Sequence, residues 1–157
     1  MELEIIKLKS TDINDFMDLL KVFKEVFEWE NFSFPRSQHL QRVLENAHFL
    51  VFVAKANNKL VGGLTARILD RYDTERPSAY IYDIAVSTAQ QRIGIGKSLI
   101  ATFTNFCKKN GFSEVFVQAE TADTQAMNFY KTTPVSSEIK ATHFTYSFKD
   151  TDTTEQQ

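Results

Sequence analysis

The stretch Ala79–Val86, AYIYDIAV, is nearly continuous in apolar and aromatic residues and is interrupted once, by Asp83. A strand with one wet face alternates, so an unbroken run of this kind reads as a central strand covered on both sides. A carboxylate inside such a strand is costly unless a partner, water or a ligand offsets its burial. Shortly after it the chain reads Gln91-Arg92-Ile93-Gly94-Ile95-Gly96 and enters a long amphipathic segment, Gly94–Asn110, with Leu99, Ile100, Phe103 and Phe106 on one side. A buried strand, a glycine turn and a helix closed at Gly111 therefore form the middle of the fold.

The remaining pattern surrounds this unit. Leu3, Ile5 and Ile6 predict a short strand ending near Ser10 and Thr11, which are candidate caps for a helix over Asp12–Glu28. Ile13, Phe16, Leu19, Leu20, Phe23 and Phe27 give that helix a wide apolar stripe. After Pro35, Ser37 is placed to cap a shorter helix through Glu45. His48–Ala56 and Leu60–Ile68 read as a hairpin joined at Asn57, Asn58 and Lys59. Glu114–Ala119 reads as a further buried strand and Asp123–Lys131 as a helix. Thr142–Phe148 alternates as a final strand before a polar tail, Lys149–Gln157. The order predicts an α+β (mixed α/β) fold, with helices on both faces of one largely antiparallel sheet. Residues 1–149 are expected to form a single domain, with 150–157 as tail.

A chain of 157 residues has no room for a second full domain, and its 43% hydrophobic content with fourteen Phe supplies a core. Eighteen basic and twenty acidic residues leave a formal charge of -2, which excludes nucleic-acid binding through bulk positive charge. The single cysteine, Cys107, forms no intramolecular disulfide and reads as a small packing residue of the helix. The start, MELEIIKLKS, lacks an apolar signal core, and no long apolar run is present, so a soluble, unexported, cytoplasmic protein without membrane contact is expected. His39, His48 and His143 lack ligand spacing, and no metal is expected.

At Gly94 and Gly96 the backbone can approach a ligand closely, and the first amides of the helix lack intrahelical acceptors. Such an array suits phosphate oxygens, with the helix dipole, Arg92 and Lys97 adding favourable charge. The residues alone equally permit a sharp turn that serves only packing. The three glycines of a dinucleotide fingerprint and the GxxxxGK[ST] phosphate loop are both absent.

The pattern Q/R-x-x-G-x-G/A after a strand ending in Ala-Val resembles the acetyl-coenzyme A signature of the GNAT N-acetyltransferase superfamily, matched by Gln91, Gly94 and Gly96. Ala126-Met127-Asn128-Phe129-Tyr130 is similar to that superfamily's AxxxY helix. Together with Tyr80–Ser87 (YIYDIAVS) and Val117–Glu120 (VQAE), these segments resemble the type I aminoglycoside 3-N-acetyltransferases. The resemblance runs from about Leu50 to Phe148. It implies that the parallel fourth and fifth strands splay apart to admit the pantetheine arm of acetyl-CoA. Backbone groups of Ile84, Ala85 and Val86 would pair with that arm. The amides of Arg92, Ile93, Gly94, Ile95, Gly96 and Lys97 would hold the pyrophosphate, with Ser98 adding a hydroxyl and Ala126 lying on the cofactor side. It also suggests a homodimer.

Acyl transfer to an amine needs a base for the ammonium and a proton for the departing thiolate. Asp83 is the first choice as base; the bland alternative is a carboxylate bonded to a neighbouring backbone group or Arg. Glu120 is a candidate to share the proton transfer or bind a substrate ammonium, and equally a plain solvated carboxylate. Tyr130, by its match to the superfamily, would protonate the thiolate; the alternative is a packing tyrosine. Glu28, Glu30, Asp70, Asp73 and Asp123 could surround a polycationic substrate, although each alone reads as a surface charge. The cluster Phe23, Phe27, Trp29, Phe32 and Phe34 is mostly core, its later part open to an acceptor cleft or dimer contact. Lys131-Thr132-Thr133-Pro134-Val135 replaces the usual Gly-Phe turn, and Asp123 stands where Asn is frequent; both departures bear on acceptor geometry. The expected acceptor is the 3-amino group of a gentamicin-type aminoglycoside, with antibiotic resistance as the consequence. The alternatives are a polyamine, amino acid or protein amine, or an acyl-CoA-binding module without turnover.

Overall fold

The computed structural model describes residues 1–149. It divides into two compact units, Met1–Ala119 and a second beginning at Glu120. In the first unit β1 (Leu3–Lys7), β2 (Phe49–Ala56), β3 (Lys59–Leu69), β4 (Ser78–Val86) and β5 (Glu114–Val117) form one five-stranded sheet in sequence order. The first three pairings are antiparallel and β4–β5 is parallel. Helices α1 (Ile13–Phe27), α2 (Ser37–Glu45) and α3 (Ile95–Lys109) complete this unit, and α4 (Thr124–Lys131) belongs to the second. This is the mixed α/β architecture that the pattern predicts.

β2 shows why both faces must be covered. Val51 and Val53 pack with Phe16, Leu19, Phe23 and Leu40 of α1 and α2. Phe52 turns the other way, its ring 5.3 Å from those of both Phe103 and Phe106 of α3. The β2–β3 turn is the tight asparagine turn expected: Ala56 opposes Lys59, and Asn57 and Asn58 both take left-handed backbone, φ 51° and 67°. Asparagine tolerates that region better than most residues, and the twist of such a turn matches that of the strands.

Helix ends differ in detail from expectation. Asp12, rather than Ser10 or Thr11, precedes α1, and its carboxylate accepts the Lys9 amide at 2.8 Å to close the entering turn. Ser37 is the first residue of α2 instead of its cap, because the extended residue is Arg36. Asn110 and left-handed Gly111 (φ 81°) end α3 as anticipated.

α1 lies very close to the sheet at Gly63. A Cβ there would meet the Phe52 carbonyl oxygen at 2.6 Å and Leu19 Cδ1 at 2.7 Å. Gly63→Ala is therefore expected to cost about 1–3 kcal/mol of folding stability through overpacking, read as a lower urea midpoint.

Thr142–Phe148 is not a strand. No strand is formed over these residues, and Phe144, Tyr146 and Phe148 are 80%, 87% and 91% exposed. Alternation makes a segment fit for a sheet, but a strand needs a neighbouring edge to bond. β5 likewise stops at Val117 rather than Ala119. The expected tail at 150–157 lies outside the described residues.

Candidate active site

The start of the β4–β5 pair is fastened. Arg76 donates to the carbonyls of Gly111 (3.2 Å) and Phe112 (2.7 Å), Arg71 donates to the Ser113 hydroxyl (3.2 Å), and the Ser113 amide bonds the Pro77 carbonyl at 2.8 Å. From there the two strands pair only from Ser78↔Glu114 to Ile81↔Val117. β4 continues to Val86 without that neighbour, still held by β3 through Gly62↔Val86. Beyond Ile81 the β4 edge on the β5 side therefore has no strand neighbour among the described residues.

A β-bulge sets the side chains at the start of this unpaired stretch. Ala66 opposes Ile81 and Thr65 opposes Asp83, so Tyr82 is the extra residue and is turned outward, 63% exposed. Asp83 is half-buried next in line. Its carboxylate takes no hydrogen bond and no ion pair from the described residues, and burial alone pushes its pKa above the usual carboxylate range. Among the described residues no backbone group or Arg side chain bonds Asp83. At Gly62 a Cβ would lie 2.7 Å from the Ala85 carbonyl oxygen and 3.1 Å from Val86 Cα, so this glycine lets β3 sit close behind the open edge.

The turn after β4 is anchored at two points. Gln91 donates its side-chain amide to the Val86 carbonyl at 2.9 Å. Thr88, at the start of a 3₁₀ turn over Thr88–Gln90, gives its amide (3.1 Å) and hydroxyl (2.7 Å) to the same Glu25 carboxylate oxygen on α1. These bonds lower the Glu25 pKa, the Thr88 hydroxyl being the largest cause. Sequence reading missed Glu25, because nothing local marks a bond across 63 residues.

Left-handed backbone at Arg92 (φ 66°) and Gly94 (φ 91°) then leads into α3. The first helical bond is Ser98 N–H to the Gly94 carbonyl, 3.0 Å. Among the described residues, the amides of Ile95, Gly96 and Lys97 have no acceptor, and no side chain caps them. Arg92 and Lys97 are exposed and join no ion pair among the described residues, and the space where a Gly94 Cβ would stand is open within 4 Å. Three free amides at the positive end of a helix, two free cations and unobstructed backbone fit a phosphate-bearing ligand. Ile95 itself is buried and acts as the anchor of the turn, and Ser98 is half-buried.

Of the other sequence candidates, Asp70 pairs with His48 (2.8 Å) and Asp73 with Arg71 (2.7 Å) in the first unit, while Glu120, Asp123 and Tyr130 belong to the second. Glu120 is exposed, and its carbonyl accepts the Asp123 amide at 2.9 Å. Asp123 caps α4 by accepting the half-buried Ala126 amide at 3.0 Å. Tyr130 is half-buried on the last turn of α4, its ring 5.1 Å from that of Phe129. Elsewhere in the first unit Phe23, Phe27, Trp29, Phe32 and Phe34 form a chain of ring contacts of 5.2–6.2 Å, and Phe27 and Phe34 are 38% and 39% exposed. A shallow hollow between Lys7–Ser10 and Leu44–Leu50 draws no lining from β4 or the glycine turn.

A parallel strand pair whose pairing ends before a helix N-terminus, with amides there that lack acceptors among the described residues, is the geometry the structure shows at this point. The model of the acetyltransferase (GNAT) family matches residues 14–133, and the chain belongs to that family. It is similar to an aminoglycoside acetyltransferase, meta-AAC0020, from an uncultured soil metagenomic sample. The structure of that protein in complex with sisomicin is 47% identical, with a TM-score of 0.92 over 94% of this chain and 97% of that one. The same protein in complex with trehalose gives 48% identity, a TM-score of 0.92 and the same coverage. N-acetyltransferase 8F1 of Rattus norvegicus is 28% identical over 85 residues, 54% of this chain and 38% of that protein. The chain thus spans well under half the length of that curated relative. No helix among the described residues is long and apolar enough to cross a membrane.

Proposed function

We propose that this chain is an acetyl-CoA-dependent N-acetyltransferase acting on an aminoglycoside, with the 3-amino group of a gentamicin-type compound as the favoured position. The observation that carries the reading is the half-buried Asp83, without a partner among the described residues, on a strand whose unpaired edge runs toward three helix amides without acceptors. Likeness to an aminoglycoside acetyltransferase described in complex with sisomicin supports the acceptor class.

When bound, acetyl-CoA supplies the activated acetyl group. The chain's own residues do the rest. The amides of Ile95–Lys97, with Arg92 and Lys97, hold the diphosphate, and the open edge at Ile84–Val86 aligns the arm. Asp83 attracts the substrate ammonium, accepts its proton and leaves the nitrogen able to attack; its raised pKa makes it a stronger base than an exposed Asp. The C–S bond breaks as the C–N bond forms, and the sulfur takes up a proton. The AxxxY match supports Tyr130 as that proton's donor, and Glu120, shortly after β5 in the chain, is the auxiliary carboxylate. Residues 1–149 act as one acetyltransferase domain, in a cytoplasmic homodimer, without a metal. Acetylation removes a positive charge from the antibiotic, which is the basis for a role in resistance.

Thiol release from acetyl-CoA by the purified chain, measured with gentamicin, sisomicin, spermidine, free amino acids and a peptide amine, tests this directly. Fastest turnover on the aminoglycosides, with NMR of the product showing the 3-N-acetyl group, is expected. Preference for another amine, acetylation at another position, or coenzyme binding without thiol release would each replace the reading. Tyr130→Phe is expected to lower kcat by about 10-fold to 10²-fold at unchanged coenzyme affinity, and full activity would assign the proton to another donor.

A further inference from the structure

We propose that Glu25 is a positioning residue for the coenzyme: from α1 it holds the turn after β4 in the shape that aims the amides of Ile95, Gly96 and Lys97 at the diphosphate. The proposal rests on the reading of those amides as the diphosphate site. Three observations carry it.

The first is where the turn is held. Its upstream half is tied to the sheet and to itself: the Ser87 amide donates to the Val61 carbonyl at 2.7 Å, the Gln90 amide to the Ser87 carbonyl at 2.8 Å, and the Gln91 side chain to the Val86 carbonyl at 2.9 Å. Thr88 adds the tie to a helix, placing its amide and its hydroxyl on one oxygen of Glu25. Downstream the support ends. Among the described residues Arg92–Gly94 bond neither to another strand nor to α1, and Arg92 and Gly94 both take left-handed backbone. The part that would face the diphosphate is therefore ordered from its upstream side, and a site held in shape before binding spends less of its affinity on ordering.

The second is the rigidity of the element that carries Glu25. Leu19, Val22 and Phe23 of α1 are buried and share one cluster with Ala85 of β4. Leu19 also stands so close to Gly63 of β3 that a Cβ there would meet it at 2.7 Å. Glu25 follows Phe23 by two residues and lies exposed on the same helix. A bond from such a helix fixes a position, which a bond from a loop does not.

The third is the chemistry of the side chain. The Thr88 hydroxyl and amide, and to a smaller extent the Ser87 hydroxyl, lower the Glu25 pKa, so the carboxylate is ionised at neutral pH. A negative charge close to a turn that receives a diphosphate opposes the ligand. What Glu25 contributes is then its oxygen, which accepts two donors of one residue at once, and not its charge. A glutamine, with an acceptor oxygen at the same reach, should do the same work.

Calorimetry of the full chain with acetyl-CoA, well below the melting temperature of each variant, tests this. Glu25→Ala is expected to weaken the dissociation constant by about 10-fold, as for the loss of bonds to a charged acceptor, while Glu25→Gln stays within about 3-fold of wild type. Thr88→Val keeps the amide bond and should fall between them. The double variant Glu25→Ala, Thr88→Val should bind no more weakly than Glu25→Ala alone, because both changes remove one interaction. In steady state, KM for acetyl-CoA should rise in Glu25→Ala with kcat at saturating coenzyme unchanged, since Asp83 is not on the turn. Wild-type affinity in Glu25→Ala, at whatever melting temperature, would overturn the proposal by making the bond structural only. Glu25→Gln as weak as Glu25→Ala would assign the effect to charge, and additive losses in the double variant would separate the two residues; either overturns it. If wild type itself fails to bind acetyl-CoA, the diphosphate reading falls as well, whereas a tight wild type matched by Glu25→Ala removes this proposal alone.

Discussion

Asp83→Asn lowers kcat by roughly 10²- to 10⁴-fold, the range removed with a general base, and leaves the dissociation constant of acetyl-CoA nearly unchanged. The asymmetry follows from position. Asp83 follows the bulge at Tyr82, whereas the groups proposed to hold the diphosphate come after Val86. The substitution keeps the shape of the side chain and removes its charge and basicity. Steady-state kinetics with gentamicin, paired with calorimetry on acetyl-CoA, reads both quantities; a wild-type kcat in the variant would remove Asp83 from the chemistry.

The same carboxylate sets two pH dependences. Because the base acts when ionised, kcat/KM of the wild type should fall on the acid side at a pH above the ordinary carboxylate range, in line with the burial that raises its pKa. For stability the sign is opposite to that of a salt-bridged Asp. A raised folded-state pKa means that the folded chain binds this proton more tightly than the unfolded chain. Its contribution to stability is fully present below the unfolded carboxyl pKa. It is lost as pH rises from there through the raised value, and is constant above it. Asp83→Asn removes that loss. The variant should therefore melt at a higher temperature than wild type at neutral pH, with the difference closing in acid. A less active, more stable variant is the expected signature of a carboxylate retained for function.

Gly94→Glu abolishes useful coenzyme affinity, with an expected loss of about 10²-fold or more, since charge-assisted bonds to several amides are each worth about 1.5–3 kcal/mol. The cause is specific to the site. No protein atom lies within 4 Å of where the new Cβ would stand, so packing does not oppose the change. The left-handed backbone, φ 91°, strains any side chain there by about 1–3 kcal/mol. The added carboxylate would itself occupy the anion position beside the free amides of Ile95–Lys97 and repel the diphosphate. Gly94→Ala supplies the same strain without the charge and should keep most of the affinity. Calorimetry that finds Gly94→Glu and wild type equally tight would move the diphosphate elsewhere.

Much of this architecture was legible locally. The apolar run Ala79–Val86, the Asn57-Asn58 turn and the glycines before α3 encode their conformations in a few adjacent residues, and the structure has them where the pattern puts them. What was not legible depends on residues far apart. The Glu25–Thr88 bond joins positions 63 apart, and the absence of a partner for Asp83 among the described residues is a property of everything around it. The bulge at Tyr82 arises from how β3 and β4 register, which neither strand states alone. Thr142–Phe148 is the instructive failure: its alternation is real, but period-2 patterning specifies a face, and the hydrogen-bonding partner must come from elsewhere.

The account rests on backbone amides at the head of α3 gripping a diphosphate. Backbone amide NMR during titration with acetyl-CoA reads those groups one by one. The account predicts that the largest downfield shifts fall on Ile95, Gly96 and Lys97, with a second set at Ile84–Val86, and that pantetheine, which lacks the diphosphate, moves only the second set. Shifts that leave 95–97 unmoved while acetyl-CoA binds would contradict it.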